Sequence, residues 1–552
     1  MKHPVETYLS ELHEARSTGG TSAETSYYTY LENLLNEVGR TLKPRVRCVS
    51  QVADTGAGSP DYGLYSANQF QKSSKADPIP GVLPERGVIE VKKVKDDSWL
   101  TADGKQVSKY WGHYGQVLVT NYRDFLFVGR DEKNKPVKLE PFHIAATERE
   151  FWRKAQHPRK TAEEVGDRLI EYLKRVMLNN APLSEPQVLA WYLASYAREA
   201  RFRIEDASDL KGLDTLRSSL EDSLGMKFEG KDGEHFFRAT LVQTLFYGVF
   251  SSWVLWARTN GKSKGTKFNW HAAAWSLHVP MIAGLFHQIA DPKRLKALGL
   301  SEVLDWTGTV LNRVSRDEFF TKFEEENAVQ YFYEPFLDAY DPQLRKDLGV
   351  WYTPHEIIKY QVARVDTVLR EELEISDGLA DPNVFVLDPC CGTGAYLVEV
   401  LRVIHKTLTD KGSGALVAQK LKQAAMERVF GFEIMPAPFV ISHLQIGLTL
   451  RHFDAPLSDD KNERVGVYLT NALTGWEPPK DPKNRLSFPF PELQEENEAA
   501  NKVKRETPIL VIIGNPPYNA FAGTSPKEEE GLVDVYKTGL TKPIKDGGWG
   551  IK

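Results

Sequence analysis

From about residue 346 onward, short apolar runs alternate with helical patterns, and this alternation constrains the fold more than any other feature of the chain. NVFVLDP, VFGFEI, VGVYLTNAL and PILVIIGNPPY read as strands, and LVEVLRVIHKTL and SHLQIGLTLRHF, with apolar residues at helical spacing, read as intervening helices. Strands alternating with helices predict a parallel sheet covered on both faces. Such sheets bind ligands at the carboxyl ends of their strands, so the residues that close each run carry most information.

Three runs close on residues suited to chemistry. Leu387–Leu397 reads LDPCCGTGAYL, in which Asp388 ends a strand and Gly392 and Gly394 let backbone approach a ligand. VFGFEI brings Glu433 to the tip of the next strand, where an acid commonly meets ribose hydroxyls. PILVIIG runs into Asn515-Pro516-Pro517-Tyr518. The prolines stiffen the turn and remove donors, leaving the Asn515 carboxamide and neighbouring carbonyls to accept from an exocyclic amine. Tyr518 offers a flat face for an extruded base. Alone, each has a bland reading: a tight turn, a solvated loop glutamate, a proline turn. Their order on successive strand ends favours one shared site.

The front of the chain differs. Residues 1–150 mix a helical stretch, Glu24–Gly39, with strand patterns RVRCVSQV, GVIEVKKV and DFLFVG. Ser59-Pro60-Asp61 followed by Ile89-Glu90-Val91-Lys92 makes a PD…ExK pattern, and alternation along a strand puts Glu90 and Lys92 on one face. Two carboxylates suit Mg²⁺, with Glu32 as a candidate third ligand, and the lysine suits a phosphate or an attacking water. ExK alone is commonplace on solvated strands; the upstream Pro-Asp and the apolar flanks of Glu90 narrow it. Gln116 lies in a helix-like stretch, YWGHYGQVLVT, as a candidate supporting residue. Residues 151–345 read as a helical spacer. Within it RATLVQTLFYGVFSSWVLWAR, between Arg238 and Arg258, is apolar enough to need a membrane test, but its polar residues favour a buried core helix.

DPCCGTG followed by NPPY resembles the gamma-ordered amino-methyltransferases that act on adenine N6 in DNA. YEPFLDAYDPQLRKDLGVWYTPHEII resembles the segment preceding the methyltransferase in type ISP and type IIG restriction-modification enzymes, and the front domain resembles PD-(D/E)XK nucleases. The resemblance implies a multidomain α/β chain: a nuclease-like domain over 1–150, a helical connector over 151–345, and a Rossmann-like methyltransferase domain over 346–552, incomplete at its C-terminus. It implies S-adenosyl-L-methionine held by Tyr352, Thr353, Pro354, Asp388, Gly392, Gly394, Glu433 and Asn471. It also implies methyl transfer at Asn515, Pro516 and Tyr518, and Mg²⁺-dependent cleavage at Asp61, Glu90 and Lys92. Asn471 stands where many relatives carry an acid. Double-stranded DNA is the implied partner, with self-association expected for cutting both strands.

Composition sets outer bounds. The net charge of -5 gives no global basic signature, which leaves a local basic channel open. Cys48, Cys390 and Cys391 are too few for a disulfide framework, and the N-terminus has no apolar signal region, so a cytoplasmic protein is expected. Only 34 residues (519–552) follow Tyr518, fewer than such a sheet needs, so a fragment or a second polypeptide is expected. No phosphate loop of the G-x-x-x-x-G-K-[ST] type is present, a departure from type ISP enzymes that translocate on DNA. Two rivals stand beside this reading. One is a methyltransferase acting on protein glutamine or RNA; the other is a DNA-binding scaffold without turnover.

Overall fold

The computed structural model describes residues 2–18, 24–42, 44–70, 78–130, 135–179, 183–206, 211–260, 266–272, 298–323, 332–341, 353–412, 416–458, 463–477 and 491–516, with Leu295 and Gly414. The chain divides into two compact units, Met1–Pro182 and Leu183–Lys552.

In the first unit, α1 (Pro4–Ser17) and α2 (Tyr28–Arg40) precede a sheet of six strands: β1 (Val46–Ser50), β2 (Tyr62–Ser66), β3 (Val88–Val91), β4 (Val117–Thr120), β5 (Asp124–Arg130) and β6 (Pro136–His143). They lie side by side in chain order, antiparallel except for the parallel pair β3–β4. A parallel pair needs a crossover, and α3 (Ser98–Ala102) with α4 (Lys105–Tyr114) supplies it. Val107, Tyr110 and Tyr114 of α4 pack on Val88, Val117, Val119, Leu126 and Val128. Two-residue alternation puts Glu90 on the same face as Val88. Helix α4 stops at Gly115, whose φ of 81° is costly for other residues, and Gln116 therefore leads into β4 instead of extending the helix. After β6 come α5 (Glu148–Ala155) and α6 (Pro158–Leu178). The Tyr172 hydroxyl of α6 donates to the Phe125 carbonyl on β5 (3.1 Å), tying this helix into the first unit.

The second unit opens with helices α7 (Pro186–Asp206), α8 (Lys211–Leu224), α9 (Gly230–Asn260), α10 (Leu300–Asn312), α11 (Arg316–Lys322), α12 (Glu334–Tyr340) and α13 (His355–Glu371). Helix α9 contains the apolar stretch singled out above. It packs against α7 and against α16 (Pro436–His452), a helix of the parallel-sheet region, and Tyr247 and Trp253 are fully buried. A helix covered on opposite sides must be apolar nearly all round. No described helix is long and apolar enough to cross a membrane.

A charge cluster centred on the buried Asp341 joins α7, α9 and the end of α12. Arg201 Nη1 and His235 Nε2 donate to Asp341 Oδ2 at 2.7 and 2.8 Å. Hydrogen bonds to Asp341 and Glu205 raise His235 to about 9. A raised histidine stabilises the fold fully below its ordinary value near 6.5, and that contribution disappears as pH rises through about 9. With the imidazole 40% exposed, we discount the shift to about 1–2 kcal/mol. His235→Gln should lower the melting temperature at pH 7 by several degrees and by much less at pH 10. An equal loss at both would remove the charge from the account.

The remaining elements are β7 (Val386–Asp388), α14 (Ala395–Asp410), α15 (Leu416–Glu427), β8 (Val429–Glu433), α16, β9 (Val467–Leu469), α17 (Pro491–Glu506) and β10 (Val511–Ile512). The four strands are all parallel, in the order β10-β7-β8-β9. The chain moves outward from β7 to β9 and then returns to the other side of β7. Sheets with such a reversal commonly bind ligands beyond the carboxyl ends of the strands on either side of it, here β7 and β10.

Candidate functional site

The turn after β7 is pinned to the next strand. Cys391 N donates to Phe432 O (2.9 Å), and Gly394 N closes the turn on Cys391 O (2.7 Å). Gly392 and Gly394 have φ of 53° and 86°. Their roles then separate. A Cβ on Gly392 would meet nothing within 4 Å, whereas one on Gly394 would lie 3.2 Å from Ser442 Cβ on α16. Gly392 thus leaves open space above the turn, and Gly394 lets α14 start close against α16.

Glu433 reaches back to this turn. Its Oε2 accepts from Gly392 N (2.9 Å) and its Oε1 from Met435 N (2.8 Å). Burial pushes its carboxyl up to about 7, and those amides hold it from rising further. Asp388 is raised to about 8, first by burial and then by the Glu433 charge, with the Cys390 amide opposing. Its Oδ1 accepts from Cys390 N (3.1 Å), while Oδ2 is buried with no hydrogen-bond partner among the described residues. An orphaned buried carboxylate oxygen is costly and points to a partner supplied from outside the chain.

Strand β10 brings the asparagine motif to the same place. A Cβ on Gly514 would lie 2.4 Å from Asp388 Oδ1, so only glycine lets the backbone preceding Asn515 pass the aspartate. Asn515 Nδ2 donates to Thr353 Oγ1 (3.0 Å), and Thr353 with Pro354 leads into α13. Segments 162 residues apart are thereby joined beside the glycine turn. Asn471, at the end of β9, is buried, and its Oδ1 accepts from Leu473 N (2.9 Å). Lys504 on α17, missed by sequence reading, braces that turn: its Nζ donates to Thr470 Oγ1 and to the carbonyls of Asn471 and Thr474, each at 2.8 Å. Pro516 lies among the described residues; Tyr352 and Tyr518 lie outside them.

In the first unit, Asp61 precedes β2 and Glu90 sits on the adjoining β3. Asp61 Oδ2 accepts from Val91 N (2.7 Å), and Oδ1 accepts from the Tyr28 hydroxyl, a partner that no local sequence signal marks. Lys92 Nζ donates to Glu90 Oε1 (2.5 Å), as their shared face requires. Burial, and then the charges of Glu90 and Asp61, raise the Tyr110 phenol, so both carboxylates act on one neighbour. Among the described residues no three of His, Cys, Asp and Glu group as a metal site, so Glu32 does not complete one with Asp61 and Glu90. Burial, and then the Glu32 charge, raise the Cys48 thiol. The Gln116 amide donates to Arg86 O and accepts from Asn179 Nδ2 (3.0 Å). The register Val88↔Val117 sets it at the start of the β3–β4 pair, while Lys92 lies past the far end.

Residues 324–542 match the model of the N-6 DNA Methylase family. Among solved structures, the chain is similar to DrdV in its cryo-electron-microscopy complex with DNA, at 20% identity, covering 93% of this chain and 43% of that one, with a TM-score of 0.40. It is similar to a nuclease-deletion mutant of the Type ISP restriction-modification enzyme LlaGI in complex with a DNA substrate mimic, at 18% identity, covering 64% and 26%, TM-score 0.41. It is also similar to the type IIG restriction endonuclease BpuSI, at 12% identity, covering 81% and 42%, TM-score 0.22. The chain spans less than half the length of each of these three. No curated protein matches it. The segment matched by the family model holds the sheet β10-β7-β8-β9, the glycine turn and Asn515.

Proposed function

We propose that the chain is a DNA restriction-modification protein, in which the second unit methylates adenine N6 using S-adenosyl-L-methionine and the first cleaves DNA with Mg²⁺. The observation that carries the methyltransferase reading is the meeting of three distant motifs: Gly514 against Asp388, Asn515 on Thr353, and Glu433 on Gly392.

The residues fit the cofactor. Open space over Gly392 and the orphaned Asp388 oxygen suit a cationic ligand, and the Glu433 carboxylate at the tip of β8 suits ribose hydroxyls. The cofactor supplies an electrophilic methyl group. Thr353, Pro354, Asp388, Gly392, Glu433 and Asn471 would hold it, and Gly394 would shape the turn from behind. Tyr352 would complete the cofactor pocket and Tyr518 would stack on the target base. With Nδ2 donating to Thr353, the Oδ1 of Asn515 is the carboxamide's acceptor for the adenine amine, beside the Pro516 carbonyl. Accepting hydrogen bonds from the amine draws electron density back to nitrogen and stabilises the positive charge that develops there.

The two raised carboxyls set a pH dependence. A cationic ligand binds best when both are ionised, so binding releases protons and affinity rises with pH through 7 and 8. Calorimetry should find S-adenosylmethionine binding about tenfold or more tighter at pH 8.5 than at pH 6. Constant affinity would mean that neither group faces the ligand. For the acceptor, labelled methyl should pass to unmethylated duplex DNA in the cytoplasmic pH range. Transfer to protein or RNA instead would replace this substrate assignment.

In the first unit Asp61 and Glu90 would hold Mg²⁺, which commonly keeps several waters and needs only one or two protein carboxylates. Lys92 would neutralise phosphate or orient the attacking water, and cutting both strands would call for two copies of the unit. A second reading, methylation with an inactive nuclease unit, is favoured by the Lys92–Glu90 ion pair and by both Asp61 oxygens already accepting hydrogen bonds.

A further inference from the structure

The bond between Asn515 and Thr353 joins the residue proposed to meet the target base to the segment proposed to meet the cofactor. Asn515 follows β10, which is fixed to β7 by parallel pairing at Val511–Val386 and Ile512–Leu387. Thr353 stands just before α13, whose far half is firmly anchored. Arg370 there donates to Asp366 Oδ2 (2.7 Å), Ser376 O (2.6 Å) and Thr407 Oγ1 on α14 (3.0 Å). The near half of α13 is mostly exposed: Ile357 is 46% and Tyr360 70% accessible, and Ile358 and Val362 are its buried residues. Among the described residues this end of the helix is held by Ile358 and Val362, by the Tyr396 hydroxyl on Gln361 and by the Thr353 hydroxyl on Asn515.

A carboxamide has two distinguishable ends, and catalysis needs the oxygen end aimed at the amine. A hydroxyl can accept from Nδ2 or donate to Oδ1, so it fixes which way the amide lies only when its own proton is engaged elsewhere. A threonine hydroxyl has two lone pairs and one proton. It can accept from Asn515 and still donate its proton to an anionic group of a ligand.

We infer that Thr353 is a positioning residue for Asn515: its hydroxyl orients the carboxamide and couples cofactor occupancy to the geometry of the base-binding turn. This rests on the methyltransferase reading, and the test separates the two. In the full chain, Thr353→Val keeps shape and loses the hydroxyl, whereas Thr353→Ser keeps it. At saturating S-adenosylmethionine, the valine variant should lose about tenfold or more in kcat for DNA methylation, and the serine variant should stay near wild type. The fall in kcat should exceed any change in cofactor Kd, a split that pure cofactor binding would not give. Wild-type kcat in Thr353→Val, or equal losses in both variants, would overturn the inference. Hydrogen–deuterium exchange gives an activity-independent readout. Amides around Ile513–Asn515 should exchange faster in Thr353→Val than in wild type or Thr353→Ser, at matched melting temperature. Unchanged exchange would overturn the tether even if the wild type methylated nothing, while an inactive wild type with the expected exchange pattern would count against the methyltransferase reading alone.

Discussion

Asn515→Ala is expected to lower the rate of adenine methylation by about 10²- to 10³-fold at saturating cofactor, the scale of losing one preorganised polar group at a reacting centre. Three observations support so large an effect. The residue leaves a strand paired to β7, so its backbone is fixed. Its amide nitrogen donates to Thr353, and the oxygen is the end of the carboxamide able to accept from an amine. Gly514 sets this turn against Asp388, within the site and not beside it. Cofactor affinity should change by less than about threefold, because an interaction made mainly in the transition state lowers kcat without weakening ground-state binding. Isothermal titration and single-turnover kinetics on the same preparation check both halves. Normal turnover with collapsed cofactor affinity would move Asn515 from the base side to the cofactor side.

The second large effect concerns the first unit. Glu90→Gln should abolish Mg²⁺-dependent DNA cleavage, by about 10²-fold or more, and leave methylation unchanged. Glutamine keeps the shape of a residue only 2% exposed, so folding is little disturbed. Asp61→Ala should lose cleavage as well, but it also strips Val91 N of its acceptor, at about 1–3 kcal/mol for a buried donor left unpaired. The glutamine variant is therefore the cleaner comparison. Cleavage at the wild-type rate in Glu90→Gln would reduce Glu90 and Lys92 to an ion pair on one strand face. Absence of cleavage in the wild type would favour the methylation-only reading.

Much of this arrangement is legible in the sequence because its signals are local. Strand ends at Asp388 and Glu433, the turn at Gly392 and Gly394, and the break before Asn515 follow from apolar runs meeting glycine and proline. The all-round apolar character of Arg238–Arg258 marks a helix covered on several sides, and α9 lies between α7 and α16. What is not legible depends on distant partners. Periodicity does not say that β10 returns beside β7, and nothing near Tyr28 or Lys504 announces that they brace Asp61 or the turn at Asn471. Gln116 shows the limit of a local reading. The stretch before it is helical, but the left-handed turn at Gly115 ends the helix, and the side chain goes to supporting the backbone of Arg86. The two glycines of one motif also serve different ends, Gly392 facing open space and Gly394 facing α16, a distinction only packing reveals.

Asp388, Glu433 and Asn515 are proposed to form one site that methylates adenine N6 in DNA. The most direct test is to incubate the full chain with S-adenosylmethionine and unmethylated duplex DNA, digest the product to nucleosides and identify them by mass spectrometry. N6-methyladenosine is expected as its deoxynucleoside, formed by the wild type and lost in Asn515→Ala. No methylated deoxynucleoside, a methylated cytosine in its place, or N6-methylation undiminished in Asn515→Ala would contradict it.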